Sequence, residues 1–398
     1  MAPDVLSRRT VLFVNIAHAL DHFALLIYPT AVLAMAPELG LTYAALISLS
    51  TGTFVAFGLF SLPMGWLAER WGRRNLLVIF FGGCGFSLLG LAAASTPAVI
   101  TGWLLVLGLF LAIYHPIGSA MLVSHARRLG RDLGRNGVWG NLGAGFASGV
   151  TALIAAWLGW RAAFAMPGLV CLAAGAAFVA LVPGDGDGHK AKVGAPTIPV
   201  AHPFLLLAVF AVAIVAGGMT FNVTTIALPK VLDERLGSAL PLALTGSLAT
   251  VVFVFGALTQ LLMGRLVDRF TLPAVFACLA LLQPVGLGLA AATTGVPLLA
   301  GLVIAMASIY GQVIINDAMV ARYVPPRLRA KAFSVRYFLG FTTSGLAVPL
   351  IALLHGWGGF PAVLGVSAMF GAVVSACAAG FFLVASGGTA RAGEVPAE

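Results

Sequence analysis

Near the start of the chain Asn15, His18, Asp21 and His22 fall inside an otherwise apolar run. Steps of three and four residues put His18, Asp21 and His22 on one face of a helix. A carboxylate flanked by imidazoles, away from bulk water, is the kind of group that takes up and releases protons near neutral pH. Facing lipid, the Asp alone would cost about 2.5 to 3.5 kcal/mol, so the stripe is expected to face a cavity or a partner helix. A hydrogen-bond knot between helices would place the same residues there, and so would a transition-metal site, since imidazole and carboxylate suit divalent metals. A third histidine, His115, precedes Pro116 in a later apolar run. Proline inside a helix frees a carbonyl and bends the helix. A histidine at that bend is placed to meet Asp21 or a substrate, or to bond the freed backbone.

The second half of the chain carries its own polar set. Asn316 and Asp317 lie near the end of one apolar run, and Arg336 and Tyr337 near the start of the next. Their matched depth predicts an ion pair between Asp317 and Arg336, either one that opens and closes or a permanent brace. Asn222 falls 200 residues after His22. Asn15, Tyr28, Tyr114, His115, Asn141, Asn222, Tyr310 and Asn316 are the expected substrate contacts, with His18, Asp21, His22 and His115 the proton-responsive set.

The elements that must position these groups are set by composition. Of 398 residues 60% are hydrophobic and 9% charged, against about a quarter charged in soluble domains. Twelve apolar runs are each long enough for the roughly 30 Å hydrocarbon core. The second is expected as one helix over 44–68 and the fourth as one helix over 98–123. The first run, preceded by Arg8 and Arg9, is expected to be a retained spanning helix rather than a cleaved signal. Cys84, Cys171, Cys278 and Cys377 are scattered among the runs without a CxxC pair, which argues against a disulfide framework or a cysteine metal site. The net charge of +9 sits in short clusters between runs, with no aromatic-interleaved patch for nucleic acid. Clusters at Arg8 and Arg9, at Arg70, Arg73 and Arg74, at Arg127 to Arg135, at Arg265 and Arg269, and at Arg322 to Lys331 fall at alternate ends. That asymmetry predicts a multi-pass inner-membrane protein with both termini cytoplasmic. The Gly-, Pro- and Asp-rich stretch 183–201 is read as a cytoplasmic linker between two six-helix halves, 1–182 and 202–398.

The halves repeat. Gly65 and Gly264 are 199 residues apart, each opening a segment that ends in a carboxylate and an adjacent arginine: Glu69 with Arg70, and Asp268 with Arg269. Tyr28-Pro29 likewise aligns with Leu228-Pro229. Repeats facing each other across a central cavity are the architecture this implies. Walker, HExxH and GxSxG sequences are absent, so an enzyme is not expected, no cofactor is called for, and energy would come from an ion or substrate gradient.

The segment Gly65-x-Leu67-Ala68-Glu69-Arg70-x-Gly72-Arg73-Arg74 resembles the hallmark loop of the major facilitator superfamily, with Glu69 where that family usually has Asp. His18-x-x-Asp21, Tyr114-His115-Pro116-x-Gly118 and Gly140-Asn141-x-Gly143 are similar to the fosmidomycin-resistance type of drug/proton antiporter. No proline follows the fifth-span glycines, unlike the common antiporter pattern. The resemblance implies an all-α fold of twelve transmembrane helices with spans 1, 4, 7 and 10 lining a cavity. It further implies a monomeric exporter of a small amphipathic or anionic compound in exchange for protons, with bilayer, substrate and protons as partners. Glu69, Arg70, Arg73, Arg74, Asp268, Arg269, Asp317 and Arg336 are then expected to gate the cycle. An importer or uniporter of a small anion, or a carrier of metal or metal chelate, would fit the same residues.

Overall fold

The computed structural model describes residues 3–125, 129–183, 203–236, 240–325 and 329–392, and every regular element among them is helical. The expected linker 183–201 lies, past residue 183, outside the described residues. So do Arg127, Arg128 and Arg327 of the arginine clusters.

The first run forms α1 (Pro3–Leu39), longer at both ends than a span requires. The second run is not one helix but three, α2 (Tyr43–Ser48), α3 (Thr51–Phe60) and α4 (Met64–Trp71). Hydroxyls compete with the helix at both breaks: Ser50 Oγ donates to the Ile47 carbonyl and Ser61 Oγ to that of Gly58, each at 2.7 Å. Pro63 follows, with no N–H to offer. After α5 (Arg73–Ala93), the fourth run is also split, into α6 (Pro97–Leu111) and α7 (Tyr114–His125). Pro116 cannot bond back to Ala112, and the chain turns there. Then come α8 (Leu129–Leu158), α9 (Trp160–Leu181), α10 (Pro203–Arg235), α11 (Leu242–Arg269), α12 (Leu272–Ala292), α13 (Gly295–Tyr323) and α14 (Arg329–Ala392).

Eleven helical stretches are long and apolar enough to cross a bilayer, the last of them 49 residues long. That stretch is broken at Gly358 and Gly359, the latter at φ 61°, so it supplies two crossings and the described spans number twelve. Gly72 does similar work between α4 and α5, where φ is 79°. A left-handed joint of that kind favours glycine, and it explains the glycine inside the hallmark loop.

The chain forms two compact units. The first comprises Met1–Lys192, Ile226–Val254 and Ser344–Gly356, the second Val193–Thr225, Phe255–Thr343 and Trp357–Glu398. Within the first, α1 packs along α8 and against α7, and α5 packs along α9. Contact is close because the crossing residues are small. A Cβ added at Gly143 would sit 2.1 Å from the Ala19 carbonyl oxygen, and one at Gly246 would sit 2.2 Å from Ala152 Cβ. Within the second unit α12 lies along α13, backbone on backbone at Gly286 and Gly301. Phe276, Leu279, Met319 and Phe381 fill its core.

Candidate functional site

The stripe on α1 meets α7 inside the first unit. Asp21 is fully buried, and neither of its oxygens has a hydrogen-bond partner among the described residues. The nearest imidazole is that of His115, whose Nε2 is 3.4 Å from Oδ2. A carboxylate and an imidazole at that separation can hold one proton between them. Phe57 of α3 meets the His115 ring edge-on at 5.8 Å between centroids, which closes that side against water.

His18 and His22 form the other part of the cluster. His18 Nδ1 lies 2.8 Å from the Asn136 carbonyl oxygen, and a carbonyl only accepts, so Nδ1 carries the hydrogen. In the neutral ring Nε2 is then an acceptor. His22 Nε2, 3.1 Å away, must be the donor. The His18 ring stacks on Tyr114 at 4.8 Å, and Gly140 leaves room for it: a Cβ there would meet His18 Nε2 at 2.5 Å. Ligand atoms of His18, His22 and His115 all lie within 4.8 Å of one another, a spacing that a divalent metal could bridge. In this arrangement the facing lone pair of His18 is spent on His22, and its other nitrogen on the backbone.

Asn136 of α8 ties the cluster together and was missed in the sequence reading. Its Nδ2 donates to Asn15 Oδ1 at 2.9 Å and to the Tyr114 hydroxyl at 3.0 Å, while its carbonyl holds His18. Its only sequence signal is an amide at the head of an apolar run. In the second unit the same kind of signal marks a buried amide pair, Gln283 Nε2 donating to Gln312 Oε1 at 2.6 Å, with Thr220 donating to Gln283.

The expected substrate contacts are divided between the two units. Tyr28 and Tyr310 are 2% exposed and Tyr114 1%. The Tyr28 hydroxyl donates to the Leu46 carbonyl, Tyr114 is held by His18 and Asn136, and Tyr310 packs on Phe221. All three side chains are packed among helices in this structure. Asn15 lines a cavity, and Asn141 is part-buried on α8. Asn222, in the second unit, donates to the Gly218 carbonyl and to Thr343 Oγ1 at 3.0 Å. Asn316 Oδ1 is buried there without a hydrogen-bond partner among the described residues. The pair expected from depth is present: Arg336 NH1 lies 2.7 Å from Asp317 Oδ1, with the arginine 8% exposed.

In the hallmark loop the Arg74 guanidinium donates to the Val182 carbonyl and, at 3.2 Å, to that of Val179, satisfying the last turn of α9. Arg70 lies 3.9 Å over the Trp66 ring, and Glu69 and Arg73 are exposed. In the second copy Asp268 is 3.8 Å from Arg322, which also donates to the Val267 carbonyl, while Arg269 lies in the last turn of α11.

Comparison with known proteins agrees with this architecture. The profile of the Major Facilitator Superfamily matches residues 11–242 and again 209–397. A chloramphenicol resistance protein of Pseudomonas aeruginosa is 31% identical over 282 residues, 67% of this chain and 64% of that relative, so the alignment leaves more than a third of the relative unmatched. Among solved structures, a bacterial homologue of the human lysosomal transporter Spinster, inward-facing and occupied, superposes with a TM-score of 0.74 at 15% identity over 95% of this chain and 96% of its own. A D-xylose-proton symporter superposes at 0.71 and 15% identity, covering 94% and 97%. At such identities the likeness is one of fold.

Proposed function

Since this chain belongs to the major facilitator superfamily, and is a multi-pass membrane transporter and not an enzyme, we propose that it exports a small amphipathic or anionic compound from the cell in exchange for protons. It would sit in the inner membrane as a monomer with both termini cytoplasmic, organised as two halves, 1–182 and 202–398, that work by alternating access. The observation that carries this reading is Asp21, fully buried, without a hydrogen bond, 3.4 Å from His115. An uncompensated buried charge costs several kcal/mol. A site of that kind is settled by a proton and disturbed by its loss, so the state of the proton is tied to the packing of α1 on α7. Alternating access driven by protons needs such a group. The resemblance to a chloramphenicol resistance protein supports export. Glu69 and the arginines of the hallmark loop, with Asp268, Arg269, Asp317 and Arg336, act at the ends of the helices as gating groups, away from the substrate.

The test is Asp21→Asn in proteoliposomes, with radiolabelled chloramphenicol and aryl carboxylates as probes and an imposed pH gradient as the driving force. The amide matches the protonated acid in shape, so binding persists while gradient-driven accumulation is abolished. Accumulation equal to that of the unaltered protein would make the stripe structural and leave facilitated diffusion as the activity.

A further inference from the structure

Beside the histidine cluster, within the first unit, lies a cavity of about 510 Å³. That is within the range of small-molecule sites. Its walls come from α1, α7 and α8, at the end of the bundle that carries Arg8. The lining charges do not cancel: Arg8 and Arg135 face one carboxylate, Asp132. Arg135 has no ion-pair partner among the described residues. Leu12 and Trp139 supply an apolar wall, both more than a third exposed. The floor is Asn15, whose Oδ1 is taken by Asn136, while among the described residues nothing accepts from its amide hydrogens. Those hydrogens and the Arg135 guanidinium are the donors left over for an occupant.

We propose that this cavity is a loading site for an organic monoanion with a flat apolar body, its charge held by Arg135 and its body laid on Trp139. The proposal rests on the export reading and gives its substrate class. It also gives the site a line to the proton-holding cluster. A ligand that draws on Asn15 pulls on the amide of Asn136, and the backbone carbonyl of the same residue fixes His18.

The experiment is calorimetric titration of the purified full-length protein in detergent with 2-naphthoate, and with 2-naphthalenemethanol as the uncharged counterpart. The carboxylate binds at least about tenfold more tightly than the alcohol, as a charge-assisted contact implies. Arg135→Gln removes that advantage without changing affinity for the alcohol, Arg135→Lys restores part of it, and unchanged thermal unfolding of both variants excludes misfolding as the cause. Equal affinity for the two probes, no saturable binding of either, or an Arg135→Gln variant that still prefers the carboxylate would overturn the assignment. The binding comparison uses no pH gradient and the Asp21→Asn transport test leaves Arg135 intact, so the cavity and the proton exchange fail or stand separately.

Discussion

His22 Nε2 and His18 Nε2 face each other at 3.1 Å, and only one hydrogen fits between them. Because the Asn136 carbonyl claims the Nδ1 hydrogen of His18, the shared hydrogen belongs to His22. Nitrogen-15 NMR of histidine-labelled protein at pH 8 is expected to show one ring of this pair as the Nδ1–H tautomer and the other as Nε2–H. The same tautomer on both rings would contradict the assignment.

Two glycines of α8 differ in what they protect. At Gly143 the obstacle to a side chain is the Ala19 backbone, and at Gly140 it is the His18 ring. Gly143→Ala is therefore expected to destabilise the fold by about 1 to 3 kcal/mol, as overpacking does. Gly140→Ala costs less, because a ring can swing, and changes the pH profile of transport instead. Unfolding in detergent and proton-driven uptake, measured on both variants, separate the two effects.

At the opposite end of the first unit a latch joins three helices. Lys230 lies 2.6 Å from Asp233 and 3.5 Å from Glu234, His355 of α14 lies 3.2 Å from Glu234, and the Tyr43 ring of α2 packs edge-on against His355 at 5.1 Å. A double-mutant cycle of Glu234→Gln and His355→Ala is expected to give a coupling of about 0.5 to 1 kcal/mol, the scale of a partly exposed pair. The coupling is present at about 0.01 M salt and fades by about 1 M, as counter-ions screen a partly exposed charge pair. Coupling that is the same at both values would show packing rather than charge.

The Asp317 and Arg336 pair is a brace with one buried member. Arg336→Gln leaves Asp317 facing no cation, and Asp317→Asn leaves a guanidinium 8% exposed without its carboxylate. Asp317→Asn, which strands the buried guanidinium, is expected to cost about 3 kcal/mol, Arg336→Gln, which leaves a carboxylate 42% exposed to water, about 1 kcal/mol, and the double change less than Asp317→Asn. If the pair also breaks during the cycle, the double variant folds but turns over abnormally. Normal turnover in that variant would make the pair purely structural.

Much of the architecture was legible in the chain because the cause is local. An apolar run of bilayer length has no stable choice but a helix, since lipid offers the backbone no other partner. Repeats such as Pro29 and Pro229 are visible as spacing alone. The stripe of His18, Asp21 and His22 was legible for the same reason, as helical periodicity fixes which residues share a face. The breaks in the second and fourth runs were only half legible. Pro116 announced one, but the serine hydroxyls at Ser50 and Ser61 chose the backbone over solvent only once lipid and packing had removed the alternative.

The partnerships were decided by the tertiary structure. No spacing in the chain connects Asn136 to His18 or Glu234 to His355, because each contact joins helices whose rotation and depth are set by where small residues let backbones approach. Gly143 against Ala19 sets the crossing of α1 and α8, and so brings Asn136 to His18. Nor does sequence say which polar side chain keeps a hydrogen bond to spare. Tyr28 and Asn15 looked alike as inward polar groups. Packing gave the tyrosine hydroxyl a carbonyl of α2 and left the asparagine amide at the edge of a cavity, since whether a buried donor is satisfied depends on distances that only the folded chain fixes.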